Sequence, residues 1–420
     1  MRVTGDHLVT VGLLAQLALV AAGLAAAALP ASGRRLLAAA AGVGVGVAGV
    51  VTGAAAWGGA AGAVSVRTAL PGVVLTYAPD RLGGAFAVLT GTVTVAAALW
   101  SAGSDGPDRA RTAAAALPVF ALGLLAVTEA ADVVALLAAW EVMAVASTAL
   151  VLTDHARRGA VVGAGVWYAA MTQMSFVLVL GGCGVLAGAA GGIRFADLAR
   201  LDPHRGVVAL GVVLLVLGFA TKAGAVPLHV WLPRAHPEAP SHASALFSAA
   251  MVKAGVYGVL LVVVRLYPGG PQWWGLLLLG LGAASAVFGI LQASVAADLK
   301  RLLAYSTTEN VGLILCAVGA AQVTAARGEP ATAKVLLVAA MLLTFAHAAA
   351  KSALFLAAGT VLHGAGTADL DRLGGLARRM PATCAVFGVA ALGAAGLPPA
   401  AGFVAEWTLL QALVLGGRPS

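Results

Sequence analysis

Lysine is scarce in this 420-residue chain, with five lysines against twenty arginines. Charge of either sign is scarce too: Asp, Glu, Lys and Arg make up only 10% of the residues, against about 25% in average soluble domains. That shortage excludes an ordinary soluble globular protein, because 61% of the chain is hydrophobic and the mean hydropathy is +0.97. Cysteine is equally thin. Cys183, Cys316 and Cys384 lie far apart with no CxxC or Cys/His ligand spacing, which argues against a disulfide framework or cluster site and for small buried hydrophobes. No cleavable signal peptide is evident, since the first apolar run is long enough to be a span itself. No polar stretch between the apolar runs is long enough for a soluble domain.

What fills the chain is a succession of apolar runs, each long enough to cross roughly 30 Å of hydrocarbon as a helix. We read twelve spans, over residues 8–29, 36–63, 82–102, 112–128, 131–152, 160–188, 206–227, 242–266, 273–296, 302–320, 333–361 and 383–416. The expected fold is an all-α polytopic membrane protein with about 12 transmembrane helices. The connector 189–205 contains Phe195-Ala-Asp-Leu-Ala-Arg200, which reads as a short interfacial helix. The net charge of +8 and pI near 9.9 do not point to nucleic acid, because the charges sit in short clusters between apolar runs, as in interhelical loops. Loops after odd-numbered spans carry twelve basic residues, in tight clusters such as Arg34-Arg35, Arg157-Arg158 and Arg378-Arg379, against ten on the other side. This bias, with the isolated Arg109 and Arg418 included, places the N-terminus in the periplasm of a bacterial-type inner membrane.

Two spans are interrupted by proline. Pro227 follows Lys222 in the seventh, and Pro233, Pro237 and Pro240 then mark an extended stretch. In the twelfth, Pro398 and Pro399 within Gly396-Leu-Pro-Pro399 precede Glu406. Proline inside a span frees carbonyls that protein or water must satisfy. Paired broken helices in two halves of a transporter point to its ion path.

A charge at the bilayer centre costs about 2.5–3.5 kcal/mol on insertion scales, so it needs a reason. Arg holds its proton permanently, whereas a buried Lys exchanges it. The lysines that survive inside apolar sequence, Lys222, Lys253 and Lys351, are therefore candidate proton carriers. Glu141, mid-way along the fifth span, is the expected partner of Lys222, and moving that carboxylate would load or release the amine's proton; a pair that only locks two helices, or a Lys222 that snorkels to the interface, is the competing structural role. Lys253 lies mid-way along the eighth span, too deep to snorkel. His347 and Lys351 are four residues apart and share a helix face. Glu406 follows the second break, and Glu309 lies about two turns into the tenth span. His229, His236 and His242 cluster with Glu238 around the seventh-to-eighth connection; their spacing fits no metal motif, so they read as secondary proton-access candidates and no metal is expected. Lys300 and Lys334 are expected to be boundary charges, and Glu129 and Asp132 to be solvated in a tight connection.

These segments resemble a known family. Leu228-His-Val-Trp-Leu-Pro-Arg-Ala-His-Pro-Glu-Ala-Pro-Ser-His-Ala-Ser-Ala-Leu246 followed by Met251-Val-Lys-Ala-Gly-Val-Tyr257, together with Trp140-Glu141, Asp298-Leu-Lys-Arg-Leu-Leu-Ala-Tyr-Ser306, His347-Ala-Ala-Ala-Lys351 and Gly396-Leu-Pro-Pro399, is similar to the antiporter-like membrane subunits. These include the proton-pumping subunits of complex I, Mrp-type cation/proton antiporters and membrane-bound hydrogenases. His236-Pro-Glu-Ala-Pro-Ser-His242, Tyr305-Ser-Thr-Thr-Glu-Asn-Val-Gly312 and Gly402-Phe-Val-Ala-Glu-Trp407 lean toward the branch of hydrogenase-4 component B and formate hydrogenlyase subunit 3. The resemblance implies two inverted five-helix repeats with helices 7 and 12 broken, the second repeat lacking its final helix. It divides the chain into residues 1–110 (helices 1–3), 111–270 (first repeat) and 271–420 (second repeat, truncated). It orders Glu141 and Lys222, Lys253, His347 and Lys351, then Glu406 along one axis. It implies a subunit with no cofactor and no active site of its own, moving protons, with Na+ as the alternative ion. Its partners would be other membrane subunits and a peripheral redox arm of hydrogenase or complex I type. A Mrp-type antiporter subunit and a non-conducting scaffold are the alternatives.

Overall fold

The computed structural model describes residues 2–68, 73–104, 110–156 and 159–415. Arg109, Arg157, Arg158 and Arg418, used above for orientation, lie outside the described residues. The elements in chain order are α1 (Arg2–Ala26), α2 (Ala31–Trp57), a hairpin of β1 (Val64–Arg67) and β2 (Val74–Tyr77), α3 (Arg81–Ser104), α4 (Ala110–Glu129), α5 (Val133–Val151), α6 (Gly159–Ala190), α7 (Phe195–Leu198) and α8 (Gly206–Ala223). Then come α9 (Leu232–Glu238), α10 (Ser241–Leu246), α11 (Val252–Leu260), α12 (Gln272–Ser294), α13 (Leu299–Ala326), α14 (Pro330–Ala365), α15 (Leu376–Arg379), α16 (Pro381–Ala394) and α17 (Ala401–Leu415). Ten helical segments among the described residues are long and apolar enough to cross a membrane, joined by the shorter apolar helices Ala114–Glu129, Pro381–Ala394 and Ala401–Val414. All twelve expected spans have a helical counterpart, the last as the two half-helices α16 and α17. The chain is a mostly helical multi-pass membrane protein, the form lipid imposes on spanning segments whose every backbone donor must be satisfied within its own segment.

Helix ends are set by local chemistry. Asp132 caps α5 by accepting from Ala135 N at 2.7 Å, and Asp298 caps α13 by accepting from Arg301 N at 2.9 Å. Each of these aspartates also bridges to the connector beyond a later helix: Asp132 pairs with Arg194 past α6, and Asp298 with Asp369 past α14. The two breaks share a pattern as well. Gly224, at φ 75°, ends α8 three residues before Pro227, and Gly396, at φ 63°, follows α16 three residues before Pro399. The left-handed backbone suits glycine and stops the helix.

Glycine also lets α12 and α13 approach backbone to backbone. Gly275, Gly282 and Gly289 fall seven residues apart on α12 and face Gly319, Gly312 and Glu309 on α13. A Cβ at Gly282 would stand 2.7 Å from both Cys316 N and Gly312 O.

Several expectations are corrected. The stretch after Pro227 is not extended throughout, because 232–238 is helical, with Pro233 in the first turn where its missing N–H is not needed. Glu129 and Asp132 are buried rather than solvated. The hairpin formed by the connector 64–81 covers them: Thr76 N donates to Asp132 Oδ2 at 2.8 Å, and Tyr77 bridges to Ala130. Gln16 Nε2 donates to Glu129 Oε1 at 2.9 Å from α1. Burial and the carboxylates of Asp132 and Glu129 push the Tyr77 phenol up to about 12. Lys300 is not a loop charge. Its side chain is buried and donates to Ala239 O at 2.9 Å, fastening α13 beneath the turn between α9 and α10. Lys334 is exposed, and the short helix expected over 195–200 forms as α7.

Candidate functional site

Six of the ionisable residues picked from the sequence stand on α5, α8, α11, α14 and α17, and uncharged polar residues join several of them. Lys222 occupies the last turn of α8, buried against the break at Gly224. Its Nζ donates to Thr172 Oγ1 on α6 at 2.5 Å and lies 5.5 Å from the centre of the Tyr168 ring. Half-buried Glu141 accepts from Gln173 Nε2 at 3.0 Å. Glu141 stays within electrostatic reach of Lys222 without touching it: among the described residues no ion pair forms within 4.0 Å, and the sequence neighbours Thr172 and Gln173 hold one group each. The snorkelling alternative for Lys222 falls with its burial.

Lys253 has no exposed surface. A π-helical turn over Phe247–Met251 precedes it, and such wider turns leave carbonyls available to side chains. Nζ of Lys253 donates to Ser248 O at 3.1 Å and shares a second hydrogen bond with His347 Nδ1 on α14. One turn along α14, Lys351 is equally buried and donates to Leu303 O at 3.1 Å and to Ser306 Oγ on α13. Thr307, next to Ser306, shares a hydrogen bond of 2.7 Å with Ser248 Oγ. Two consecutive residues of one helix again serve two charged positions.

Glu309 on α13 is half-buried and accepts from its neighbour Asn310. Glu406 on α17 lies against the second break, where a Cβ on Gly396 would collide with its carboxyl group.

Of the three connector histidines, His236 lies within electrostatic reach of Lys300 and Lys351. His236 is fully buried and stacked on Phe355 at 4.6 Å between ring centres, and neither ring nitrogen has a hydrogen-bond partner. His242 is buried beneath Trp100, 6.2 Å between ring centres, and His229 packs edge-on against Phe288 at 4.7 Å. Among the described residues no three His, Cys, Asp or Glu side chains gather in a way that could hold a metal ion. Sequence reasoning missed Thr172, Gln173, Ser306 and Thr307. The signal was present in the short polar clusters Met-Thr-Gln-Met and Tyr-Ser-Thr-Thr-Glu-Asn inside otherwise apolar spans.

Buried amines bonded to hydroxyls and an imidazole, with half-buried carboxyls on neighbouring helices, are groups whose chemistry allows proton exchange.

Residues 130–419 match the family described as NADH:quinone oxidoreductase/Mrp antiporter, TM. An uncharacterized protein of Mycobacterium tuberculosis H37Rv is 53% identical over 372 residues, which is 88% of this chain and 58% of that protein. Hydrogenase-4 component B of Escherichia coli K12 is 40% identical over 276 residues, 65% of this chain and 41% of the relative. The chain thus spans less than two thirds of the length of either relative. The Mrp complex from Dietzia sp. DQ12-45-1b contains a chain that superposes with a TM-score of 0.83 at 24% identity, covering 99% of this chain and 76% of that one, which shows a shared fold.

Proposed function

This chain belongs to the NADH:quinone oxidoreductase/Mrp antiporter transmembrane family, and on that premise we propose that it is the proton-translocating membrane subunit of a hydrogenase-4-like or complex I-like oxidoreductase. The observation that carries the reading is the Lys253–His347 hydrogen bond, which sets a fully buried amine against a buried imidazole. A hydrogen-bonded amine and imidazole titrate as one coupled site, across which a proton can pass. Lys222 with Thr172 and Glu141 form the station before this pair, and Lys351 with Ser306, Glu309 and Glu406 the stations after it. Electron transfer in partner subunits would displace Glu141 relative to Lys222 and set the line in motion. The similarity to hydrogenase-4 component B supports partners of hydrogenase type.

The duplicated aspartate caps and Gly-x-x-Pro breaks support a division into residues 1–110, 111–270 and 271–420, the last two being repeats. A periplasmic N-terminus in the cytoplasmic membrane puts the Arg234 and Arg301 ends of the helices in the cytoplasm.

The test is Lys253→Met in vesicles holding the chain with its co-purifying partners. Proton uptake driven by an electron donor is expected to vanish while the partners still co-purify. Uptake at the wild-type rate overturns the proposal. Proton movement driven by a sodium gradient without an electron donor would assign the chain instead to the antiporter side of its family.

A further inference from the structure

Outside the proton line, His229, Val230, Pro233, Arg234, Arg301 and Tyr305 line a cavity of about 250 Å³ at the seventh-helix break. Its polar lining is all of one kind: two guanidiniums, a phenol and an imidazole, with no carboxylate. Among the described residues neither Arg234 nor Arg301 has an acidic side chain within 4.0 Å. The acids nearest along the chain are Asp298, whose Oδ1 accepts the backbone N–H of Arg301, and Glu238, four residues from Arg234, and neither lines the cavity. His229 is 8% exposed, the Pro227 backbone lies beside its ring, and its Nδ1 makes no hydrogen bond among the described residues. A cavity that gathers donors and cations and keeps a buried ring nitrogen unpartnered is built for an oxyanion.

Its rim shows where that anion comes from. The Arg234 guanidinium lies 4.2 Å from the centre of the Trp167 ring. Trp167 is 47% exposed on the outer surface of α6, among other exposed apolar side chains such as Val166 and Val162. A tryptophan there, ending in an arginine, marks the level where hydrocarbon gives way to headgroups. We propose that this cavity binds a phosphate group and that its source is the headgroup of an anionic phospholipid, whose acyl chains run down past Trp167. Basic pockets between transmembrane helices take anionic headgroups in this way.

The bound phosphate joins two elements that the proton line depends on. His229 and Arg234 flank the seventh-helix break, and Arg301 and Tyr305 belong to α13, where Ser306 holds Lys351. The lipid therefore clamps the break against α13. This assignment does not depend on which ion the chain moves, and its test reads binding alone.

The experiment uses the full chain with its co-purifying partners in detergent, titrated with phosphatidylglycerol or phosphatidylcholine and weighed by native mass spectrometry. Wild type is expected to hold one phosphatidylglycerol more tightly than phosphatidylcholine. The double variant Arg234→Gln/Arg301→Gln should lose that preference by about tenfold or more, and Arg234→Lys/Arg301→Lys should keep most of it. The lysine pair shows that a loss in the glutamine pair is not misfolding. Equal preference in wild type and the glutamine pair overturns the site. In a second arm, inorganic phosphate or glycerophosphate competes with the lipid. Competition only at a large excess supports the headgroup; displacement at equal concentration makes a soluble phosphate the ligand and overturns the lipid assignment.

Discussion

Lys253 on α11 and His347 on α14, 94 positions apart in sequence, meet Nζ to Nδ1 in the interior of the protein. The contact constrains both partners. When the amine is charged it donates to the imidazole nitrogen and the ring carries its own hydrogen on Nε2, which is buried with no partner among the described residues. The pair can take up or lose one proton, but its two members cannot both be cations cheaply at this separation.

Lys253→Arg keeps a positive charge but not an exchangeable one. Proton uptake into vesicles, followed with a pH-sensitive dye, is expected to stop while the amount of folded protein is unchanged. Uptake near the wild-type rate would remove Lys253 from the path.

His347→Phe preserves a ring of similar size and removes both nitrogens. Proton flux should fall by about a hundredfold, the scale of losing one positioned acid–base group. A smaller effect than that of Thr344→Val, one turn away and hydrogen-bonded only to Ala340 O, would make the imidazole a packing residue.

Thr172→Val takes from Lys222 the hydroxyl it donates to. A hydrogen bond to a charged group is worth about 1.5–3 kcal/mol, so turnover should slow by roughly tenfold or more. Thr172→Ser should restore it, and failure of that rescue would show that the methyl group, not the hydroxyl, matters.

Gln16→Leu leaves the buried Glu129 carboxylate without its amide donor. Thermal unfolding in detergent should report a loss of about 1–3 kcal/mol, and Glu129→Leu in the same background should recover part of it. An unchanged midpoint in Gln16→Leu would show that the pair adds nothing to stability.

Gly282→Leu and Gly280→Leu form a matched test two positions apart on α12. A side chain at Gly282 meets the α13 backbone at 2.7 Å, whereas nothing lies within 4 Å of Gly280. The first should cost about 1–3 kcal/mol or more, seen as lost monodisperse protein, and the second almost nothing. Equal yields would mean that α12 and α13 are not in backbone contact.

The spans were legible because a twenty-residue apolar run has one stable form in lipid, and the buried ionisable residues stood out because charge is so rare in such runs. Glu129, Asp132 and Lys300 were misread for the opposite reason. Each sits at a span end, where sequence suggests water, and each is covered by an element folded over it: the β1–β2 hairpin for the acids, the α9–α10 turn for the lysine. The alternation in Val-Ser-Val-Arg hinted at that hairpin, but four residues carry little weight against flanking spans. Thr172 and Ser306 escaped notice because uncharged hydroxyls are common in membrane helices, usually bonded to their own backbone. Only the fold shows that these two accept from lysines.

The glycine seam has an effect at a distance. α12 carries no ionisable side chain, and Val287, Ile290 and Leu291 point outward from it. Yet a Cβ at its Gly289 would stand 2.5 Å from Glu309 N. A methyl group added on this outlying helix would shift the backbone that carries a half-buried carboxyl. Positions intolerant of change are thus expected to trace the seam as well as the charges, so a mutational survey guided only by titratable residues would overlook the helix that holds one of them in register.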